Sequence, residues 1–320
     1  MTGTKTATCW ALTDGTVGMV NQAQGFAEAM GFAPELKTVR PRGRWYFLSP
    51  LFWLNPLHPA ASSGDGPAPP WPDLVVACGL KAIWPTLWIR RRSGGRTKAV
   101  YVQRPQYGGG RFDLIVAPMH DGLSGPNVIG VRGAVNRVTR RRLDQAAIQW
   151  AARLAHLPKP RVAVLIGGNS GAHRLTPEFA VKFADQLAAI CKRDGAGLMV
   201  TTSRRTGAEA EALIRERLSG LPAFVWDGSG DNPYFGFLGL ADAVIATGDS
   251  VNMVSEALAT GKPVHVAMLE GGSAKFDRFH QDLVREGYTR PFTGRLESWS
   301  YQPLDDTARA AAEARKRLKL

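Results

Sequence analysis

The stretch Val162-Ala163-Val164-Leu165-Ile166-Gly167-Gly168-Asn169-Ser170-Gly171 decides how the rest of the chain is read: a mostly β-branched apolar run goes straight into a glycine turn. A short apolar run closed by turn residues marks a strand buried on both faces of a parallel sheet. Behind it, Phe179, Phe183, Leu187 and Ile190 recur at the spacing of one helical face across 177–192. Strand, turn and helix in that order make half of a βαβ unit.

The same alternation extends in both directions. Downstream, strands are expected over 198–202, 223–226, 243–246 and 263–267, with helices over 208–218, 251–259 and 276–286. Upstream, strands are expected over 6–12, 73–77, 99–102 and 113–117, and helices over 19–30 and 139–156. Leu157-Pro158-Lys159-Pro160 stops the last helix and serves as a linker, and 60–72, rich in Pro, Gly and Ser, is a surface loop. The fold class is α/β, two Rossmann-like domains facing a cleft, spanning 1–157 and 161–300. A charged helix over 304–320 packs back on the first. A cleft between such domains is the default ligand site.

Composition narrows the class further. The chain has 320 residues, 44% hydrophobic and 21% charged, which suits a soluble globular protein with a sizeable core. Cys9, Cys78 and Cys191 are widely spaced and match neither a disulfide framework nor a zinc site, so the expected compartment is the reducing cytoplasm. No run approaches the roughly 18 apolar residues of a spanning helix, and the first 15 residues lack the pattern of a signal peptide.

The net charge of +13 is unevenly placed: residues 1–160 carry 20 basic and 8 acidic side chains, the remainder 20 and 19. Such asymmetry suggests an anionic partner. Arg40, Arg42 and Arg44 lead into Trp45, Phe47, Phe52 and Trp53, and Trp84, Leu87 and Trp88 lead into Arg90, Arg91 and Arg92. Interleaved indoles and guanidiniums suit an anionic membrane surface, the alternative being aromatics that fill a core between domains. Nucleic acid is not the expected partner, because no RNP, KH or helix-turn-helix pattern is present.

Three loops carry the candidate ligand contacts. Thr13-Asp14-Gly15-Thr16-Val17-Gly18 follows the first strand, and Gly15 and Gly18 let backbone amides approach an anion at a helix start, although a plain tight turn reads the same way. Gly167, Gly168, Asn169, Ser170 and Gly171 make a stronger case for a diphosphate; no Lys-Ser or Lys-Thr completes a Walker A loop. Ser203 and Arg204, with Arg205 beside them, lie at the carboxyl end of a strand, where open parallel sheets bind ligands.

The fullest constellation is Thr247-Gly248-Asp249-Ser250-Val251-Asn252-Met253-Val254-Ser255-Glu256-Ala257-Leu258. At about 100° per residue, Val251, Val254 and Leu258 share one helical face and Asp249, Asn252 and Glu256 the opposite one. Ser250 stands at the helix start, and Glu256 is placed to accept hydrogen bonds from ribose hydroxyls; the alternative is a surface glutamate.

At these residues the sequence resembles the donor half of GT-B glycosyltransferases, including the peptidoglycan lipid-linked N-acetylglucosaminyltransferases, through the 167–171 loop, the 249–256 helix and Gly261-Lys262-Pro263-Val264. Over most of 7–300 it resembles the bacterial relatives of the plant mitochondrial fission factor of the elongated-mitochondria type. Thr13-Asp14-Gly15, Asn21-Gln22, Thr201-Thr202-Ser203-Arg204-Arg205-Thr206 and Gly248-Asp249-Ser250-Val251-Asn252-Met253 carry that match.

The resemblance implies a nucleotide-sugar donor in the second domain, Glu256 on its ribose and the Gly167 loop at its diphosphate, with the acceptor on the first domain. It implies no metal and no separate cofactor. The peptidoglycan enzymes carry a histidine in the first glycine loop, where this chain has Asp14. Asp14 and the pair His120-Asp121 are the candidates for the general base, each with a structural alternative as a helix cap or an Asx turn. The expected activity is transfer of a sugar to a lipid-linked or cell-envelope glycan acceptor at the inner membrane face, with a non-catalytic scaffold or a nucleotide-sugar epimerase as alternatives.

Overall fold

The structure is a computed structural model that describes residues 7–40 and 67–320. The first aromatic and basic patch beyond Arg40, and part of the 60–72 loop, lie outside these residues. The chain divides into two compact units, 1–137 with 305–320, and 138–304.

The first unit contains β1 (Cys9–Thr13), α1 (Val17–Ala29), β2 (Glu35–Thr38), β3 (Leu74–Cys78), α2 (Leu80–Arg92), β4 (Lys98–Val102), β5 (Leu114–Pro118) and β6 (Val128–Val131). Among the described residues its strands form one parallel sheet in the order β2-β1-β3-β4-β5-β6. Alternate residues of β1 divide between two cores. Cys9 and Ala11 meet Ala23, Phe26 and Met30 of α1, whereas Trp10 and Leu12 share a core with Ala82, Ile83 and Leu87 of α2. The helices after the neighbouring strands β1 and β3 therefore leave to opposite faces, which makes β1/β3 the topological switch point.

The second unit begins with α3 (Arg140–Ala151), β7 (Arg161–Leu165), β8 (His173–Arg174), α4 (Pro177–Asp194), β9 (Gly197–Thr201) and α5 (Ala208–Arg217). It continues with β10 (Ala223–Val225), α6 (Tyr234–Leu240), β11 (Ala243–Thr247), α7 (Val251–Leu258), β12 (Val264–Ala267), β13 (Glu270–Gly271), α8 (Ala274–Arg285) and β14 (Thr289–Pro291). Its parallel sheet runs β10-β9-β7-β11-β12-β14, and β8 and β13 form a small antiparallel pair. Val162, Val164 and Ile166 face Phe183, Leu187 and Ile190 of α4, while Ala163 and Leu165 share the other core with Val254 and Leu258 of α7. The second switch point is therefore β7/β11.

Local signals explain the best-read helix. The Thr176 hydroxyl accepts from the Phe179 amide at 3.2 Å, Pro177 occupies the first turn, and Gly195 closes α4 in the left-handed region at φ 62°. The last helix, α9 (Asp306–Leu318), belongs to the first unit. Ala310, Ala311 and Ala314 join its core, and the Asp306 carboxylate accepts from the amides of Arg132 and Gly133 at 2.7 and 3.0 Å.

The boundary differs from the expected one at 157, because α3 belongs to the second unit. It packs on α6, whose two glycines admit it. A Cβ on Gly236 would lie 2.5 Å from the Trp150 ring, and one on Gly239 would lie 2.5 Å from the Leu143 carbonyl. Among the described residues no helix is long and apolar enough to cross a membrane.

Candidate functional site

Parallel strands deliver the loops that follow β7, β9 and β11 to one edge of the second sheet, its carboxyl edge. Three sequence-selected segments, 167–171, 203–206 and 248–250, meet there. Their meeting point is Asp249, whose side chain is completely buried. Its Oδ1 accepts from the Thr247 hydroxyl at 2.6 Å, and its Oδ2 accepts from the Gly168 amide at 3.0 Å and pairs with Arg205 Nη2 at 2.7 Å.

The glycines permit this approach. A Cβ on Gly167 would stand 2.2 Å from Asp249 Oδ2, and one on Gly168, at φ 152°, would stand 2.1 Å from the Arg205 carbonyl oxygen. Thr247 Oγ1 also accepts from the Gly167 amide at 2.8 Å. The Ser203 and Thr206 hydroxyls donate to the Gly167 carbonyl at 2.9 and 2.5 Å, and the Asn169 amide donates to the Arg205 carbonyl at 2.9 Å.

This geometry changes the role of several selected residues. The amides of Gly167, Gly168, Asn169 and Ser170 all donate to protein acceptors, that of Ser170 to the His173 carbonyl, so here they brace the loops and are not aimed at a diphosphate. Asp249 is turned into the protein and binds the loops together, where the helical projection had put it on a ligand face. Arg205, exposed at its outer side, makes the ion pair to buried Asp249, and Arg204 is also exposed at the loop. Gly171 is exposed, with open space where a Cβ would be.

Helix α7 opens at the same edge. Ser250 caps it by accepting from the Met253 amide, and Asn252 lies half-buried in its first turn. Val254 and Leu258 are buried as expected, but so is Glu256, at 7% exposure. Tyr234, at the start of α6, donates its hydroxyl to Glu256 Oε2 at 2.5 Å. Burial pushes the Glu256 carboxyl up to about 7 against the opposing effect of that hydrogen bond. Burial, followed by the nearby carboxylate, raises Tyr234 well above the usual phenol range. Tyr234 lies 22 positions from Glu256 and carries no motif, so only the fold reveals the pair.

In the first unit, Asp14 and Gly15 follow β1 at the β1/β3 switch point. Asp14 Oδ1 accepts from the Thr16 amide at 2.9 Å, and Gly15, at φ 84°, sits against the Arg40 guanidinium. Gly18 falls inside the first turn of α1. Gln103, just after β4, has the positive φ of 94° that side chains rarely adopt, and its amide reaches Gln22 Oε1 at 3.4 Å. His120 and Asp121 form a 3₁₀ turn after β5, with His120 buried and the Asp121 carbonyl accepting from Arg104 at 2.8 Å. β1 and β5 are three strand spacings apart, about 14 Å at 4.7–4.9 Å each. Asp14 and His120-Asp121 therefore do not converge. Among the described residues no group of three His, Cys, Asp or Glu side chains is placed to hold a metal ion.

A family model described as Mitochondrial fission ELM1 matches residues 17–318. The chain is 33% identical over 274 residues to the mitochondrial fission protein ELM1 of Arabidopsis thaliana, covering 77% of this chain and 64% of that relative, so it spans just under two thirds of the plant protein. Among solved structures it is similar to the UDP-GlcNAc 2-epimerase of Methanocaldococcus jannaschii in complex with UDP-GlcNAc and UDP, at TM-score 0.56 and 10% identity over 98% of this chain and 99% of that one. It is likewise similar to the glycosyltransferase SnogD of Streptomyces nogalater, at TM-score 0.52 and 16% identity over 98% and 95%. At these identities the likeness establishes the two-unit Rossmann-like α/β fold.

Proposed function

The chain belongs to the mitochondrial fission ELM1 family, and from that premise we propose that its second unit binds a nucleotide sugar and that the protein passes the sugar to a lipid-linked or cell-envelope glycan acceptor. The observation that carries this reading is the β7/β11 switch point, where a helix capped by Ser250 carries Glu256, buried and with its carboxyl pushed up to about 7. The M. jannaschii enzyme, with the same fold, is described in complex with UDP-GlcNAc and UDP.

In this reading the amino-terminal dipole of α7 holds the diphosphate, because the 167–170 amides are occupied, and exposed Arg204 adds positive charge as the nucleotide leaves. The remaining acceptor capacity of Glu256 takes a ribose hydroxyl. Asp14 on the first unit is the general base, oriented by the Thr16 amide. The acceptor is presented at an anionic membrane face, which the basic first half meets.

A scaffold that keeps the fold and recruits partners is the second reading. One observation favours it: the 167–170 amides and Glu256 all have partners inside the protein. Thermal unfolding with UDP, GDP, dTDP and CMP sugars separates the two. A binder at a hundredfold excess over Kd gains about 2.7 kcal/mol by linkage, and Glu256→Gln should lose most of that gain. If none of the four sugar classes shifts the transition, the scaffold reading stands.

A further inference from the structure

Helix α2 ends in Arg90-Arg91-Arg92, and beside it lies a cavity of about 760 Å³ lined by Trp84, Leu87, Trp88, those arginines and Arg111. The wall is anchored from within the unit. Buried Trp10 meets the edge of Trp71 at 6.2 Å between ring centroids, and Trp71 meets Trp88 at 6.0 Å. Arg92 lies over the Trp88 ring at 5.0 Å.

The charges at this cavity are unevenly neutralised. Arg90 grips Asp113 through two bonds of 2.9 and 3.1 Å. Arg91, Arg92 and Arg111 are exposed, and among the described residues no carboxylate pairs with them. Cations favour a helix C-terminus, which accounts for part of the 90–92 run. That preference explains neither Arg111, which comes from the turn Gly109–Arg111, nor the indole wall between the guanidiniums.

We infer that this cavity is a membrane-docking site that takes the phosphate of an anionic glycerophospholipid between Arg91, Arg92 and Arg111, with Trp84 and Trp88 at headgroup depth. Guanidiniums fork onto phosphate, and indoles settle at the interface between headgroups and acyl chains. The site lies toward the amino edge of the sheet, because α2 starts after β3 and its 13 residues run about 20 Å away from the carboxyl edge. Docking there leaves Asp14 and its neighbours uncovered. The inference deepens the membrane part of the reading above and is independent of sugar transfer.

Co-sedimentation of the full chain tests it, using phosphatidylcholine vesicles with and without about a third phosphatidylglycerol. The protein should bind the anionic vesicles at low salt and release at high salt. The triple variant Arg91→Gln, Arg92→Gln, Arg111→Gln should bind roughly a hundredfold more weakly, at the usual contribution per cation near such a surface. A control with equal charge loss on the second unit, Arg141→Gln, Lys182→Gln, Lys192→Gln, should bind like the parent. The inference is overturned if the parent ignores anionic vesicles, if the two triples behave alike, or if a short RNA or inorganic phosphate displaces the vesicles through the same arginines. Nucleotide-sugar shifts on the same variants read the donor site separately, so failure here leaves that reading untouched.

Discussion

The Tyr234 hydroxyl donates to Glu256 Oε2 at 2.5 Å across the contact between α6 and α7, holding a carboxyl that burial has moved to about 7. Unfolded, that carboxyl titrates near 4.5. Between the two values the folded chain keeps a proton that the unfolded chain has lost, so this group stabilises the fold as pH falls from above 7 toward 4.5. The full effect is on the order of 3 kcal/mol. In thermal unfolding from pH 8 to pH 5, Glu256→Gln should flatten the pH dependence relative to the parent. Tyr234→Phe should steepen it, since the lost hydrogen bond was lowering the carboxyl. Equal slopes in parent and Glu256→Gln would show that the carboxyl is ionised across the range.

Asp249 and Gly167 make a second pair whose contact can be measured. Asp249→Ala leaves the buried Gly168 amide and Thr247 hydroxyl unsatisfied, a loss of about 1–3 kcal/mol for each, while Arg205, itself exposed, returns to water. Gly167→Ala should destabilise by a comparable amount, because its methyl carbon would meet the carboxylate itself, whereas Gly171→Ala points into open space and should be neutral within about 0.5 kcal/mol. Once the carboxylate is gone the clash is gone, so the double variant Gly167→Ala, Asp249→Ala should unfold in urea at nearly the midpoint of Asp249→Ala alone. Additive losses would place the damage from Gly167→Ala elsewhere in the loop.

Central strands such as β7 and β11 were legible in the sequence because burial on both faces demands uninterrupted apolar runs, and 162–166 and 243–246 supply them. Edge strands were less so: β10 was read at 223–226, but β2, β6 and β14 were not. Glu-Leu-Lys-Thr in β2 is half-exposed and looks like loop, and β14 includes a proline. Helix α2 was read as an aromatic and basic patch; it holds Pro85 in its interior, a residue that ordinarily argues against a helix. Helix α6 has two glycines in seven residues, a composition justified only by the closeness of α3. At the site, both glycine loops and the Asp249 helix were found, but not their union: Gly168 and Asp249 are 81 residues apart, and only the β7–β11 pairing brings them together.

That pairing logic also separates the candidate bases. Asp14 follows β1 at the switch point of the first sheet, whereas His120 and Asp121 follow β5, three spacings along, and His120 is 9% exposed. A proton must be taken within hydrogen-bond reach of the attacking hydroxyl, so both groups cannot serve one acceptor. With the donor identified by thermal shift and a membrane glycan extract as acceptor, Asp14→Asn should lower turnover by 10²–10⁴, the usual contribution of a general base. The asparagine oxygen can still accept from the Thr16 amide, so the turn that opens α1 is preserved and the unfolding midpoint should hold. His120→Asn and Asp121→Asn should stay within a few-fold of the parent in turnover. The reverse pattern would move the acceptor three strands along the sheet, to the turn after β5, and leave Asp14 as a turn residue alone.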